Sequence, residues 1–180
     1  MTMTPMTTSS DQRGVRSHPE HAFDLATVLA DKAATGTTVS ACIPARNEGA
    51  TVGFVVAAIR AALIGGAIAA HGTALVDEIV VVDDHSTDDT AAVARAAGAR
   101  VVDAASVLAH HGEGEALWKS VHESTGDIVV WVDADIVDFD PDFILGMVGA
   151  LVCDPEIDFV KGHYHRPEAD GIGGGRVTEL

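Results

Sequence analysis

Short apolar runs rich in β-branched residues alternate along this chain with longer stretches in which apolar positions recur three and four residues apart. The first pattern reads as buried strand and the second as amphipathic helix. Residues 39–43 (VSACI), 78–82 (EIVVV), 100–103 (RVVD) and 128–132 (IVVWV) are strand candidates, and 159–164 (FVKGHY) is a fifth. Between them the spacing predicts a helix over 49–63 ended by Gly65 and Gly66, and a second reaching Ala97 and closed by Gly98. A third covers 114–124, and a fourth runs to residue 153 from Pro141, with Asp140 as its cap. Ser86-Thr87-Asp88-Asp89 looks like a capping box for the second helix; its own acids would repel a phosphate.

Strands that alternate with helices argue a doubly wound α/β domain with a parallel sheet, whose ligands bind at the carboxyl ends of the strands. Acidic residues cluster there: Glu48 follows the first strand, Asp83 and Asp84 the second, and Asp133 and Asp135 the fourth. The run 128–132 is apolar at every position, as a strand buried on both faces would be. Side chains two apart in extended backbone point the same way, so Asp133 and Asp135 could share one hard cation that receives a diphosphate. The plainer reading of such a pair is a solvated loop or a helix cap. A calcium loop over Asp133, Asp135, Asp138 and Asp140 fails, because Asp138 and Ile144 stand where Gly and Glu are required. No GxGxxG follows the first strand and no GxxxxGK[ST] occurs, against a dinucleotide dehydrogenase or a P-loop enzyme.

Composition narrows the partners. Lys and Arg total 11 against 27 Asp and Glu, a formal net charge of −16 in 180 residues, which repels nucleic acid and anionic membrane. An anionic substrate must then meet a local cation or metal. Cys42 and Cys153 lie far apart and read as free thiols, in keeping with a reducing cytoplasm. Residues 1–36 begin with a Thr-, Ser- and Met-rich stretch lacking the apolar core of a secretory signal, and are expected to form a mobile arm with a short helix around Phe23, Leu25, Val28 and Leu29. Residues 37–180 would form the domain. The apolar stretch 52–70 carries Arg60 at its middle and Gly65-Gly66 beyond it, which argues against a membrane span. Trp118, at helical spacing beside Leu117 and Val121, reads as core.

Five blocks in order, PARNE (44–48), VVVDDHSTDDT (80–90), GEGEALWKS (112–120), GDIVVWVDAD (126–135) and GGGRVTEL (173–180), resemble the glucosyl-3-phosphoglycerate synthases. That family consists of retaining glycosyltransferases of the GT-A (nucleotide-diphospho-sugar transferase) fold. The resemblance implies a Rossmann-like sheet flanked by helices and transfer of glucose from UDP-glucose to 3-phosphoglycerate with Mg²⁺ or Mn²⁺. It further implies that Pro44, Ala45, Glu48, Asp84, His85, Glu113, Asp133 and Ala134 meet the UDP-sugar, that Asp135 binds the metal, and that Gly175, Arg176 and Thr178 receive the acceptor. A guanidinium beside glycine amides suits an anion.

Two departures qualify the implied activity. Gly112-Glu113-Gly114-Glu115 stands where the family has Gly-Lys-Gly-Glu, placing an anion where a cation meets the nucleotide. The sequence also ends at Leu180, just after the acceptor block, whereas the family continues into a carboxy-terminal part that adds a metal ligand, a His, and further active-site groups; His163 and His165 are read as polar surface rather than as its substitutes. A nucleotide-sugar or divalent-metal binding domain without transfer is therefore the alternative. A nucleotidyltransferase is a third reading, disfavoured because Arg46 alone makes a poor basic loop. A sheet this short would leave an edge open to pairing with a second chain as a homodimer.

Overall fold

The structure, a computed structural model, describes residues 22–106 and 115–162. Four parallel strands, β1 (Val39–Ala45), β2 (Glu78–Asp83), β3 (Arg100–Asp103) and β4 (Ile128–Trp131), form one sheet in the order β3-β2-β1-β4. Cys42 lies opposite Val80 on one side and Trp131 on the other, and Val82 opposite Val102. The helices are α1 (Leu25–Thr35), α2 (Val52–Ile59), α3 (Ala67–His71), α4 (Thr90–Ala97), α5 (Glu115–Glu123) and α6 (Asp142–Cys153). Alternate residues of the strands face opposite layers. Ala41, Ile43, Val81, Val130 and Val132 join the buried side chains of α1, α2 and α6 in the larger core, while Cys42, Val80 and Val82 pack with Ala104, Val102 and Ala116 in a smaller one. Helices on both faces make this the doubly wound α/β arrangement that the alternation of elements predicts.

The helices over the larger core differ from expectation at one place. Gly65 and Gly66 do not end it: α2 passes through a π-helical segment, Arg60–Gly66, into α3, and the chain turns only at Gly72, in left-handed backbone at φ 81°. The wider register leaves the Leu63 carbonyl to accept from the N–H groups of Leu75 (2.8 Å) and Val76 (3.3 Å), which tie the helix to the approach of β2. A Cβ at Gly66 would lie 2.7 Å from the Ala61 carbonyl oxygen, so glycine serves the π turn rather than a stop. By length and composition Val52–His71 could cross a membrane. Val52, Val55, Val56, Ile59, Leu63 and Ala67 instead bury one continuous face in the domain core.

Three more expectations are corrected. β4 is the end strand of the described sheet, and its Trp131 is 41% exposed, so the strand is not buried on both faces. Its ring nitrogen donates to Ser120 Oγ (2.8 Å), which holds the indole across α5 rather than inside a layer. Trp118 is 48% exposed and stacks on His122 one helical turn later, because the inner face of α5 is occupied by Lys119 and Ser120, both buried. Residues 159–162 form no strand, and the rest of the predicted 159–164 element lies outside the described residues. Other elements fall within a few residues of their predicted places. At α6 the helix begins at Asp142 with Pro141 at its cap, one residue later than the predicted Asp140 cap, although the Asp140 carboxylate still accepts from the Asp142 N–H (2.9 Å). Asp24 does the same for α1, accepting from Thr27 N–H (3.0 Å), and α1 packs on α6.

Candidate functional site

The carboxyl ends of β1, β2 and β4 bring the predicted acids to one side of the sheet. β1 extends two residues beyond its apolar run, so Pro44 and Ala45 belong to the strand and lie opposite Val82 and Asp83. Asp84 N–H donates to the Ala45 carbonyl (2.8 Å), continuing the ladder one residue past β2 and setting Asp84 beside Ala45. The chain then reverses at His85, φ 58°. His85 Nδ1 lies 2.9 Å from Asp84 Oδ1, and Arg46, 67% exposed, reaches Asp84 at 3.8 Å. Glu48 starts the turn into α2, its carbonyl accepting from Val52 N–H (2.9 Å) and its carboxylate from the Thr51 hydroxyl (3.3 Å).

On the other flank, Val132 N–H donates to the Cys42 carbonyl (3.0 Å), which anchors the end of β4 against β1. Val132 and Ala134 are buried, whereas Asp133 and Asp135 are exposed. The two carboxylates thus stand clear of the core, although Ala134 and Asp135 lie in a turn rather than an extended segment. Among the described residues neither makes a hydrogen bond or an ion pair, and no group of three His, Cys, Asp or Glu side chains gathers there. Such a site fits Mg²⁺ or Mn²⁺ only in the open manner of a cation held by one or two carboxylates and completed by substrate phosphates.

Cys42, in β1 beneath this edge, is no nucleophile: burial pushes its thiol up to about 11, and its Sγ faces the Ser120 carbonyl. A cavity of about 430 Å³ lies along β4, lined by Trp131, Val132, Phe143, Met147 and Phe159, with Asp133 the single predicted site residue on its wall. Its apolar wall suits no diphosphate, so the acids at the strand ends, not this hollow, mark the candidate site. Glu113, Gly175, Arg176 and Thr178 lie outside the described residues. The sequence pattern offers no role for Asn47 or Thr90 and only a capping one for Ser86 and Thr87, yet these four link the β1 and β2 turns; an Asn just past a strand end, opposite Ser and Thr, is the signal that marks them.

The glycosyl transferase family 2 model matches residues 40–177. The chain belongs to glycosyl transferase family 2. It is 44% identical over 159 residues to the glucosyl-3-phosphoglycerate synthase of Mycolicibacterium smegmatis, covering 83% of this chain and 50% of that protein. It is also similar to the solved structure of the Mycobacterium tuberculosis glucosyl-3-phosphoglycerate synthase in complex with Mg²⁺ and UDP, with 39% identity, 72% of this chain and 44% of that one covered, and a TM-score of 0.62. The same synthase in complex with Mn²⁺, UDP-glucose and phosphoglyceric acid gives 40% identity, 72% and 44% coverage and a TM-score of 0.61. This family 2 chain spans half, or less, of the length of these relatives. Its parallel sheet with helices on both faces is the Rossmann-like part of the GT-A fold, and the family match takes in β1 from Ser40 together with β2, β3 and β4.

Proposed function

We propose that this chain carries the donor site of a metal-dependent glucosyltransferase that moves glucose from UDP-glucose to 3-phosphoglycerate with retention at the anomeric carbon. The observation that carries the reading is the pair of exposed carboxylates, Asp133 and Asp135, without protein partners among the described residues and one ladder bond away from β1. In this reading Pro44, Ala45 and Glu48 border the uridine on one side and Asp84 and His85 border it on the other. Asp133 and Ala134 hold the nucleotide from β4, and Asp135 offers its oxygens to the cation. When bound, Mg²⁺ or Mn²⁺ supplies Lewis-acid stabilisation of the charge that develops on a diphosphate leaving group. The protein's part is orientation, since the three strand ends fix their loops relative to one another. Gly175, Arg176 and Thr178 are proposed to receive the acceptor's phosphate and carboxylate, a task for a cation in a chain of net charge −16. Free Cys42 and Cys153 support a reducing, cytoplasmic setting.

Glu113 favours the alternative of a nucleotide-sugar binding domain without transfer, because an anion in place of the family's lysine opposes the diphosphate. Incubation of the chain with UDP-glucose, 3-phosphoglycerate and Mn²⁺ separates the two. Glucosyl-3-phosphoglycerate is the expected product. Metal-dependent UDP binding without product would leave the binding domain standing, and no UDP binding at all would overturn both.

A further inference from the structure

The two turns assigned to the nucleotide are joined by hydrogen bonds that run between them, across some forty positions of sequence. Asn47 occupies left-handed backbone at φ 58°, a region in which Asn is enriched. From there its N–H donates to Ser86 Oγ (2.9 Å), and its Oδ1 accepts from the Thr87 N–H (2.8 Å) and the Thr87 hydroxyl (3.2 Å). Glu48 N–H donates to Thr90 Oγ1 (2.8 Å), and Gly49 N–H to Asp88 Oδ2 (3.1 Å). Asp88 Oδ1 completes the set by accepting from the Thr90 N–H (3.0 Å) and from the Thr90 hydroxyl. A side chain at residue 49 would collide with the Asp89 carboxylate, so glycine there permits the close approach.

Little of this is needed to start α4. The cap residue of α4, Asp89, makes no side-chain bond to the helix, so the predicted capping box does not form. Asp88 holds the Thr90 N–H, and the Ser86 and Thr87 hydroxyls bond Asn47, in the opposite turn. Short polar side chains that bridge two ligand-facing turns restrict both before a ligand arrives, which lowers the ordering cost of binding. We propose that Asn47, Ser86, Thr87, Asp88 and Thr90 are positioning residues, which clasp the β1–α2 turn to the β2–α4 turn and so set the spacing between Pro44–Glu48 and Asp84–His85. The positioning role rests on the donor-site reading above; the clasp itself does not.

Asn47→Gly tests both parts in the full chain. Glycine accepts φ 58° without strain, so the unfolding temperature should stay within a few degrees of the parent while the side-chain bonds are lost. Calorimetric titration with UDP and Mn²⁺ should then show a dissociation constant raised about five- to tenfold. Amide hydrogen exchange at Thr87, forty residues from the substitution, should quicken. Ser86→Ala should weaken UDP in the same sense and Ser86→Thr, which keeps the acceptor, should restore it; this pair serves if the glycine variant folds poorly. UDP affinity unchanged in both Asn47→Gly and Ser86→Ala, beside a parent that binds, overturns the positioning role. A parent that binds no UDP defeats the donor-site reading instead, and Thr87 exchange unaltered by Asn47→Gly overturns the clasp whether or not UDP binds.

Discussion

Carboxylates stand at both ends of the sheet, and they behave differently. At the amino ends each is consumed by the protein. Asp77, just before β2, accepts from the Val39 N–H (2.7 Å) and pairs with the buried ammonium of Lys32 (2.8 Å). Asp127, just before β4, accepts from the Thr38 N–H (2.9 Å) and hydroxyl (2.8 Å), and these two bonds hold its carboxyl below the usual range. Glu78 opens β2 and gathers the Ser40 hydroxyl (2.7 Å), the Thr125 N–H (2.6 Å) and hydroxyl (2.9 Å), and Arg100 (3.3 Å). At the carboxyl ends Glu48, Asp83 and Asp84 are still bonded by residues of the adjoining turns, but Asp133 and Asp135 have no such partners among the described residues. The contrast separates structural acids from available ones. An acid whose lone pairs are filled by neighbouring strands staples the sheet, whereas one left to solvent beside a strand end can serve a cation or a ligand.

The hardest blow to this contrast falls at Asp77. Asp77→Ala leaves the Lys32 ammonium, 7% exposed, without its counter-ion and removes the acceptor for the first N–H of β1. A loss of about 3 kcal/mol of unfolding free energy is expected in urea denaturation, with metal-dependent UDP affinity unchanged in the folded protein. A loss below about 1 kcal/mol would mean that the amino-end pairings do not hold the strands.

Asp135→Asn attacks the other end. Because the carboxylate is exposed and bonds nothing described, stability should move by no more than about 0.5 kcal/mol. The gain in UDP affinity on adding Mn²⁺ should fall about tenfold, ~1.4 kcal/mol. If the metal dependence survives in the variant, Asp135 is not the ligand.

The strands were legible because 39–43, 78–82, 100–103 and 128–132 are β-branched runs too short for helices, and the strand-end acids followed at once from them. What eluded the sequence depends on partners distant along the chain. Gly65-Gly66 looks like a stop unless the Leu63 carbonyl is known to find Leu75 and Val76. Trp118 looks like core until Lys119 and Ser120 are seen to take the inner face of α5. Ser86 to Asp89 look like a helix cap until Asn47 is found across from them. For Gly65-Gly66 and for Ser86 to Asp89 a distant group decided the residue's use; for Trp118 it was a neighbour's distant contact, Lys119 Nζ donating to the Ala104 carbonyl.

The smallest expected effect reads the amino end through pH. Burial alone would raise the Glu78 carboxyl, but the bonds from Ser40, Thr125 and Arg100 outweigh it and hold the group below its ordinary 4.5. A carboxyl depressed in the folded state binds its proton more weakly there than in the unfolded chain. Its contribution is therefore complete above the unfolded pKa of 4.5 and is lost as pH falls from there through the lower folded value. Glu78→Gln keeps one oxygen acceptor and abolishes the titration. The variant should be less stable than the parent at pH 7 by about 1 kcal/mol, the gap narrowing steadily below pH 4.5 as the parent's carboxylate is neutralised. Denaturation curves between pH 6 and pH 3 measure the gap directly. A gap that stayed constant across that range would show that the charge on Glu78 does nothing for the sheet, and that the two ends differ in crowding alone.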